Sequence, residues 1–158
     1  MPDSSTIPVL HTGEASFAEG LLAACEDVGF VAVTGHGLDP DIFDRMRRML
    51  VRLFDTDDET KRAGSITKGD YRGFITLGTF TPNRREVNGA GADRYEAYQL
   101  HWECPVDHPV RERYPLYGPN RWAPHVPDMS ETILAYWDAC DRFAHHLLGA
   151  FAPALGIE

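Results

Sequence analysis

Seven histidines, three cysteines and 24 acidic residues give this 158-residue sequence several places where chemistry could be built. The most conspicuous is His36, held between Gly35 and Gly37 in "FVAVTGHGLDPDIF". An imidazole just past a β-branched run invites comparison with a metal ligand or a general base. A non-haem iron or zinc site needs two or three N, O or S ligands converging, commonly two histidines and a carboxylate. The nearest carboxylate, Asp39, precedes Pro40 and is better used as a helix N-cap with proline at the first helical position. The favoured reading of His36 is therefore structural. The glycines supply unusual backbone angles, and the imidazole bonds to nearby backbone to fix the turn.

His101-Trp102-Glu103 is the one H-x-[D/E] in the chain. Residues i and i+2 of a strand share a face, so both side chains could reach one metal. A third ligand would have to come from His108, His125, His145 or His146, none of which has a distinctive setting. Polar side chains at the exposed end of a strand are the favoured reading of the pair. His145 and His146 are adjacent on a helical pattern and diverge by about 100°, which sends one to solvent and one to the core edge. There is no G-x-S-x-G setting for a serine nucleophile, and "GAGA" lacks the strand-to-helix context of a phosphate loop. Cys25, Cys104 and Cys140 form no C-x-x-C pair. Cys25 and Cys140 fall on helical apolar stripes and are expected to be buried, a usage that favours a reducing, cytoplasmic setting. Spacing alone yields no catalytic and no metal-binding constellation.

The rest of the composition narrows the class. A hydrophobic fraction of 43% and a charged fraction of 25% suit a globular domain. The net charge of -9 argues against nucleic acid as a partner. The basic cluster Arg45, Arg47, Arg48 and Arg52 is diluted by Asp41, Asp44 and Asp55 and reads as a solvated helix face. No apolar run approaches the ~20 residues of a membrane span, and "MPDSSTIPVL" has no basic segment leading an apolar one, so neither membrane nor secretory targeting is expected.

Elements able to position these residues follow from periodicity. Ile7–Leu10 is expected to be a short strand, and Glu14–Val28 a helix buried through Phe17, Leu21, Ala24 and Val28, closed by Gly29. "FVAV" reads as a strand buried on both faces. Ile42, Met46, Met49 and Leu53 give the stripe of a second helix, and "DTDDETKRAG" a short helical turn with charges suited to the helix dipole. Tyr71–Gly78 and Arg94–Trp102 read as two long strands, separated by the loop "TFTPNRREVNGAGA". The following irregular stretch, Glu103–Pro127, has six prolines, and a loop of that length is usually functional or disordered. A long amphipathic helix then carries Ile133, Trp137, Cys140, Ala144, Leu147 and Phe151. Three main helices with a few strands make an α+β chain. Two or three strands form a poor independent sheet, so the chain is expected to be the front part of something larger.

Taken together, these segments resemble the N-terminal region of the isopenicillin-N-synthase-like, Fe(II)- and 2-oxoglutarate-dependent oxygenases. "LLAACEDVGFVAVTGHGL" stands where that family has a helix running into GFF-x-V-x-NHG, with Thr34-Gly35-His36-Gly37 in place of Asn-His-Gly. "LFDTDDETKRAG" is similar to FF-x-LP-x-E-x-K, with Asp55 and Thr56 replacing Leu-Pro. "DYRGFITLG" resembles the GY-x-x-x-G strand, "DRYEAYQL" the D-x-x-E-x-F strand and "HWECP" the tryptophan-proline region. The resemblance covers essentially the whole chain, 1–158, and rests on the order and spacing of motifs that are individually weak.

What the resemblance implies is an oxidoreductase with a double-stranded β-helix (jelly-roll) core. Its iron is held by His-x-Asp and a distal His, and its oxidant is made from O2 and 2-oxoglutarate. It would oxidise an unactivated C–H bond of a small molecule, by hydroxylation, desaturation or cyclisation, in specialised metabolism. The family's metal ligands and 2-oxoglutarate arginine lie C-terminal to the region that matches here. The core is thus expected beyond residue 158 as a partner of this chain, with Fe(II) and 2-oxoglutarate in the complete enzyme and none bound by this chain alone. His36 corresponds to a family histidine that is not an iron ligand. The substrate side does carry over, to Tyr71, Arg72, Thr79, Phe80, Thr81 and Glu96. Arg72 is expected either to grip a substrate carboxylate bidentately or to make a surface salt bridge, and Glu96, if buried, to need a cationic partner. Two alternatives stay open: a non-catalytic subunit that docks a separate β-helix domain, and an unorthodox metal site at His101 and Glu103.

Overall fold

The computed structural model describes residues 6–79 and 94–157. It divides into two compact units, one of residues 1–45 and 133–158 and the other of residues 46–132.

The first unit opens with β1 (Val9–His11) and α1 (Phe17–Asp27), followed by β2 (Ala32–Thr34). β1 and β2 pair in parallel, Val9 opposite Ala32 and His11 opposite Thr34. Phe17, Leu21 and Ala24 are buried as their spacing requires, and Gly29 closes the helix with φ +79°. The expectation that Phe30–Val33 is a strand buried on both faces does not hold. The strand begins at Ala32 with only its central residue half-buried, and Phe30 is 69% exposed. A β-branched run reports that the backbone will extend, while two-sided burial depends on how many layers cover it, which the run does not encode.

Two long helices start or finish this unit. α2 (Pro40–Phe54) begins at Asp39, whose Oδ1 accepts the Asp41 N–H at 3.0 Å, an N-cap placed as the sequence implies. α5 (Met129–Ala154) contributes buried Ile133 and Ala139. Its expected stripe needs correction: Trp137 and Ala144 are exposed, and Cys140, Leu147 and Phe151 are half-buried. This helix has apolar residues on most of its circumference, with Leu134 and Leu148 exposed as well. More than one line of 3–4 spacing can be drawn along it, and packing chooses among them. Cys25, expected inside, is exposed on α1.

The second unit is built on α3 (Asp58–Arg62), the antiparallel pair β3 (Gly73–Ile75) and β4 (Ala97–Gln99), and α4 (Val110–Arg113). Asp57 caps α3, its Oδ1 accepting the Thr60 N–H at 2.8 Å. The strands fall where expected and are far shorter than the runs that announced them, three residues each. Their core comprises Met49, Leu53, Phe74, Ile75, Cys104, Ala123, Val126 and Met129. Gly73 cannot be another residue: at φ +117°, a Cβ there would overlap the Gly64 carbonyl oxygen. That close approach lets the Phe74 N–H donate to Gly64 O at 2.8 Å and the Ile66 N–H to Phe74 O at 2.9 Å.

Candidate functional site

The residues carried over from the family resemblance are distributed around β3 and β4. Tyr71 and Arg72 precede β3, Thr79 follows it and Glu96 precedes β4. Phe80 and Thr81 lie outside the described residues.

Arg72 is 1% exposed, the largest of the fully buried side chains. Its Nη1 donates to Asn120 Oδ1 at 2.7 Å and to the His101 carbonyl at 3.4 Å. Nη2 donates to the Trp102 carbonyl at 3.3 Å and to the Leu116 carbonyl. Nε is buried without a partner among the described residues. The guanidinium is thus directed inward, at backbone oxygens from two later segments, and the surface salt bridge considered from sequence is not what it makes. Burial of such a group is tolerated because its donors meet several acceptors.

Asn120 completes the cluster. Its Oδ1 also accepts the His101 N–H at 2.9 Å, its Nδ2 donates to the His101 carbonyl at 2.7 Å, and its own N–H donates to Glu103 Oε1 at 2.6 Å. His101 and Glu103, the candidate metal pair, therefore work as parts of a polar clamp, and the His101 ring contacts Gln99 Nε2 at 3.0 Å. Among the described residues, no group of three or more His, Cys, Asp or Glu is placed to hold a metal ion.

Arg121 adds a second tie on the near side. Nη1 donates to the carbonyls of Ser65 and Arg72 at 3.0 and 2.9 Å, and Nη2 pairs with Asp70 Oδ2 at 2.7 Å. Asp70 Oδ1 in turn accepts from Thr67 Oγ1 at 3.0 Å and from the Arg72 N–H at 3.2 Å. Burial opposes ionisation of Asp70 and is the largest single influence. The Arg72 N–H, the Thr67 hydroxyl and the Arg121 charge together outweigh it and hold the carboxyl below its usual range. Between the two arginine-centred ties sits Tyr71 with φ 49°, a left-handed conformation that costs a bulky L-residue roughly 1–2 kcal/mol.

Glu96 has the cation that its position called for. Lys61 Nζ meets Glu96 Oε2 at 2.8 Å and Asp58 Oδ1 at 3.3 Å, and lies over the Phe74 ring. The hydrogen bond to Glu96 is the main reason the Lys61 pKa is raised. The "ETK" turn and the "YEAY" strand, read separately in the sequence, are thus two halves of one ion pair. Thr79 turns back on its own loop, its Oγ1 donating to the Thr76 carbonyl at 2.6 Å. Burial raises the Tyr98 pKa, and its hydroxyl donates to the Arg121 carbonyl at 3.0 Å.

In the first unit, His36 does what its setting implied. The Leu38 N–H donates to His36 Nδ1 at 3.1 Å, with φ +68° at Gly35 and +69° at Gly37. The ring sits edge-on to Phe43 and Phe143. His145 is exposed on α5, and His146 stacks against Phe17 and Phe143. Sequence reasoning missed Asn120, Arg121 and Lys61 as site-builders. Only Lys61 carried a signal, because it sits in the recognised "DTDDETKRAG" turn, whereas Asn120 and Arg121 lie in the proline-rich stretch and bond to partners 17–56 residues away.

Comparison with known proteins now assigns the family. The family model described as "non-haem dioxygenase in morphine synthesis N-terminal" matches residues 4–125, and the chain belongs to that family. Validamycin A dioxygenase of Streptomyces hygroscopicus subsp. limoneus is 29% identical, over 91% of this chain and 39% of that protein. A homoarginine-6-hydroxylase of Arabidopsis thaliana is 27% identical, over 84% of this chain and 36% of that protein. A 2OG-Fe(II) oxygenase family protein of Caulobacter crescentus superposes with a TM-score of 0.81 at 23% identity, covering 98% of this chain and 50% of its own. A full-length Neurospora crassa protein, solved in complex with alpha-KG and thymine, gives 0.73 at 20% identity, over 100% and 51%. The chain therefore spans about half or less of the length of these relatives, and its α+β fold is that of a part of a 2OG-Fe(II) oxygenase. Among the described residues, no helix is long and apolar enough to cross a membrane.

Proposed function

We propose that this chain is the N-terminal region of a non-haem Fe(II)/2-oxoglutarate-dependent oxygenase acting on an unactivated C–H bond of a small molecule. The observation that carries the reading is the family match over residues 4–125, with a solved oxygenase matching 98% of the chain over half its own length. Iron and 2-oxoglutarate would supply the oxidant. The described residues of this chain do not fit the metal, since no group of three or more His, Cys, Asp or Glu among them converges and the Glu103 carboxylate accepts the Asn120 N–H, and no step is assigned to them. The ligands belong to a β-helix core beyond residue 158.

The contribution of this chain is positional. Tyr71, Thr79 and Glu96 form part of the substrate wall. Arg72 stands behind that wall and fixes the backbone of Trp102 and Leu116 from within, so that the reacting bond is held in one orientation. Exposed Val9 and Phe30 on the β1–β2 side and Leu148 on α5 support a role in packing against that core.

The test is succinate release by the product of the full reading frame, supplied with Fe(II), 2-oxoglutarate and a panel of L-homoarginine, validamycin A and thymine. Turnover stimulated by a panel member is the expected result; none with any compound sinks the reading. Residues 1–158 alone are expected neither to bind Fe(II) tightly nor to form succinate, and stoichiometric succinate from them would relocate the active site into this chain.

A further inference from the structure

We infer that the first unit carries a binding site for a small zwitterion, an α-amino acid with an apolar side chain, in the cavity at the Gly35-His36-Gly37 corner. The cavity measures about 560 Å³, a size suited to a small metabolite. Its lining comes from residues 12–42 and 135–146, all within that unit. Tyr71, Thr79 and Glu96 take no part in it, so the inference stands apart from the substrate wall and from the oxygenase reading. One side of the lining is apolar: Ile42 and Ala139 are buried, with Leu38, Ala135 and Phe143 half-buried beside them. A branched or aromatic side chain placed there would leave water.

The other side is polar and only partly satisfied from within. His36 Nδ1 accepts the Leu38 N–H at 3.1 Å, so the neutral ring carries its proton on Nε2, and no described residue accepts it. Phe43 and Phe143 hold that ring edge-on. Asp39 uses Oδ1 for the Asp41 N–H and keeps Oδ2 for another donor. Arg142 pairs with Asp138 one turn away on α5, and both are exposed, so the pair can change partners at little cost. Thr12 gives its hydroxyl proton to the Gly35 carbonyl, and the His146 ring stacks on Phe17 and Phe143. Charge then selects the ligand class. A simple anion would meet a guanidinium already neutralised by Asp138, and Asp39 already stands at the start of α2. A simple amine would leave the His36 and Arg142 donors unused. A zwitterion answers both sets: its carboxylate takes Arg142 and the His36 Nε2–H, and its ammonium takes Asp138 and Asp39.

The experiment titrates L-leucine into the folded full reading-frame product and reads the heat of binding. Two analogues accompany it: 3-methylbutylamine lacks the carboxylate, and 4-methylpentanoate lacks the ammonium. L-Leucine is expected to bind with a Kd below about 1 mM, and each analogue at least about tenfold more weakly. Arg142→Ala should weaken L-leucine binding about tenfold without moving the melting temperature, because its ion pair is exposed. His36→Asn keeps an oxygen for the Leu38 N–H, lacks the Nε2 donor and should weaken binding about fivefold. Wild-type affinity in either variant would place the ligand elsewhere and overturn the inference. So would the lack of saturable heat with L-leucine up to about 10 mM, whether or not chain beyond residue 158 fills the cavity. An analogue that binds as tightly as L-leucine would overturn the zwitterionic class. None of these readouts uses iron, 2-oxoglutarate or turnover, so a product without oxygenase activity would sink that reading and leave this one to the titration.

Discussion

The Gly35-His36-Gly37 corner and the Arg72 clamp solve the same problem by opposite means. Each uses one polar side chain to fix backbone that lies outside the α-helices and strands. At the corner the imidazole accepts an N–H from two residues along the chain. At the clamp the guanidinium reaches acceptors 29–48 residues away and lies almost wholly inside. A local stitch forms as soon as its turn forms, while a clamp of long sequence separation exists only when the whole unit is closed. The corner should therefore be a modest, separable contribution and the clamp an all-or-none one.

Substitution can break that contrast directly. Arg72→Met should destabilise the chain by at least about 3 kcal/mol, because the Trp102 and Leu116 carbonyls lose the donor Arg72 gives them and Asn120 Oδ1 keeps one of its two. Arg72→Lys should recover little, since one ammonium cannot serve four acceptors in a planar fork. A urea-denaturation midpoint close to wild type in either variant would show that the clamp is not what closes the unit. His36→Ala should cost about 1–2 kcal/mol, from the turn hydrogen bond and the packing on Phe43 and Phe143. His36→Asn, which offers a side-chain oxygen to the Leu38 N–H, should regain part of that stability in the same measurement.

The pH dependence sharpens the clamp side. Asp70 is held below the usual carboxyl range in the folded state. Its contribution is fully present above the unfolded value of about 3.9 and is lost as pH falls through the folded value. Asp70→Asn should therefore flatten the acid limb of a stability–pH curve below about pH 4, seen as a smaller drop in melting temperature than in wild type. The smallest effect is expected at the exposed Arg142–Asp138 pair on α5. Arg142→Ala should change stability by less than about 0.5 kcal/mol, and raised salt should erase even that.

The two regions also differ in how far they were legible. His36, its glycines and the Asp39-Pro40 helix start could be read because the His36 and Asp39 side-chain hydrogen bonds reach only two residues along the chain and each residue type has a conformational preference. The Lys61–Glu96 pair was half legible: each residue belonged to a recognisable motif, and Glu96 called for a cation without naming one. Asn120 and Arg121 sat in a proline-rich stretch whose periodicity says nothing about distant strands. Arg72 was placed at the substrate side with two outward-facing roles, and the structure turns its guanidinium inward. Phe30 and Trp137 were misjudged for a related reason, since apolar character fixes a preference for burial but not the presence of something to bury against.

The sequence by itself determined the family, the α+β content, the helix caps and the local turns. These depend on steric and hydrogen-bond preferences acting over a few residues. Tertiary structure decided which face of α5 is covered, where Arg72 spends its donors and that Tyr71 must stand in a left-handed conformation. Those outcomes depend on contacts between residues far apart in the chain, and such contacts acquire their energy only when the intervening chain has already been ordered.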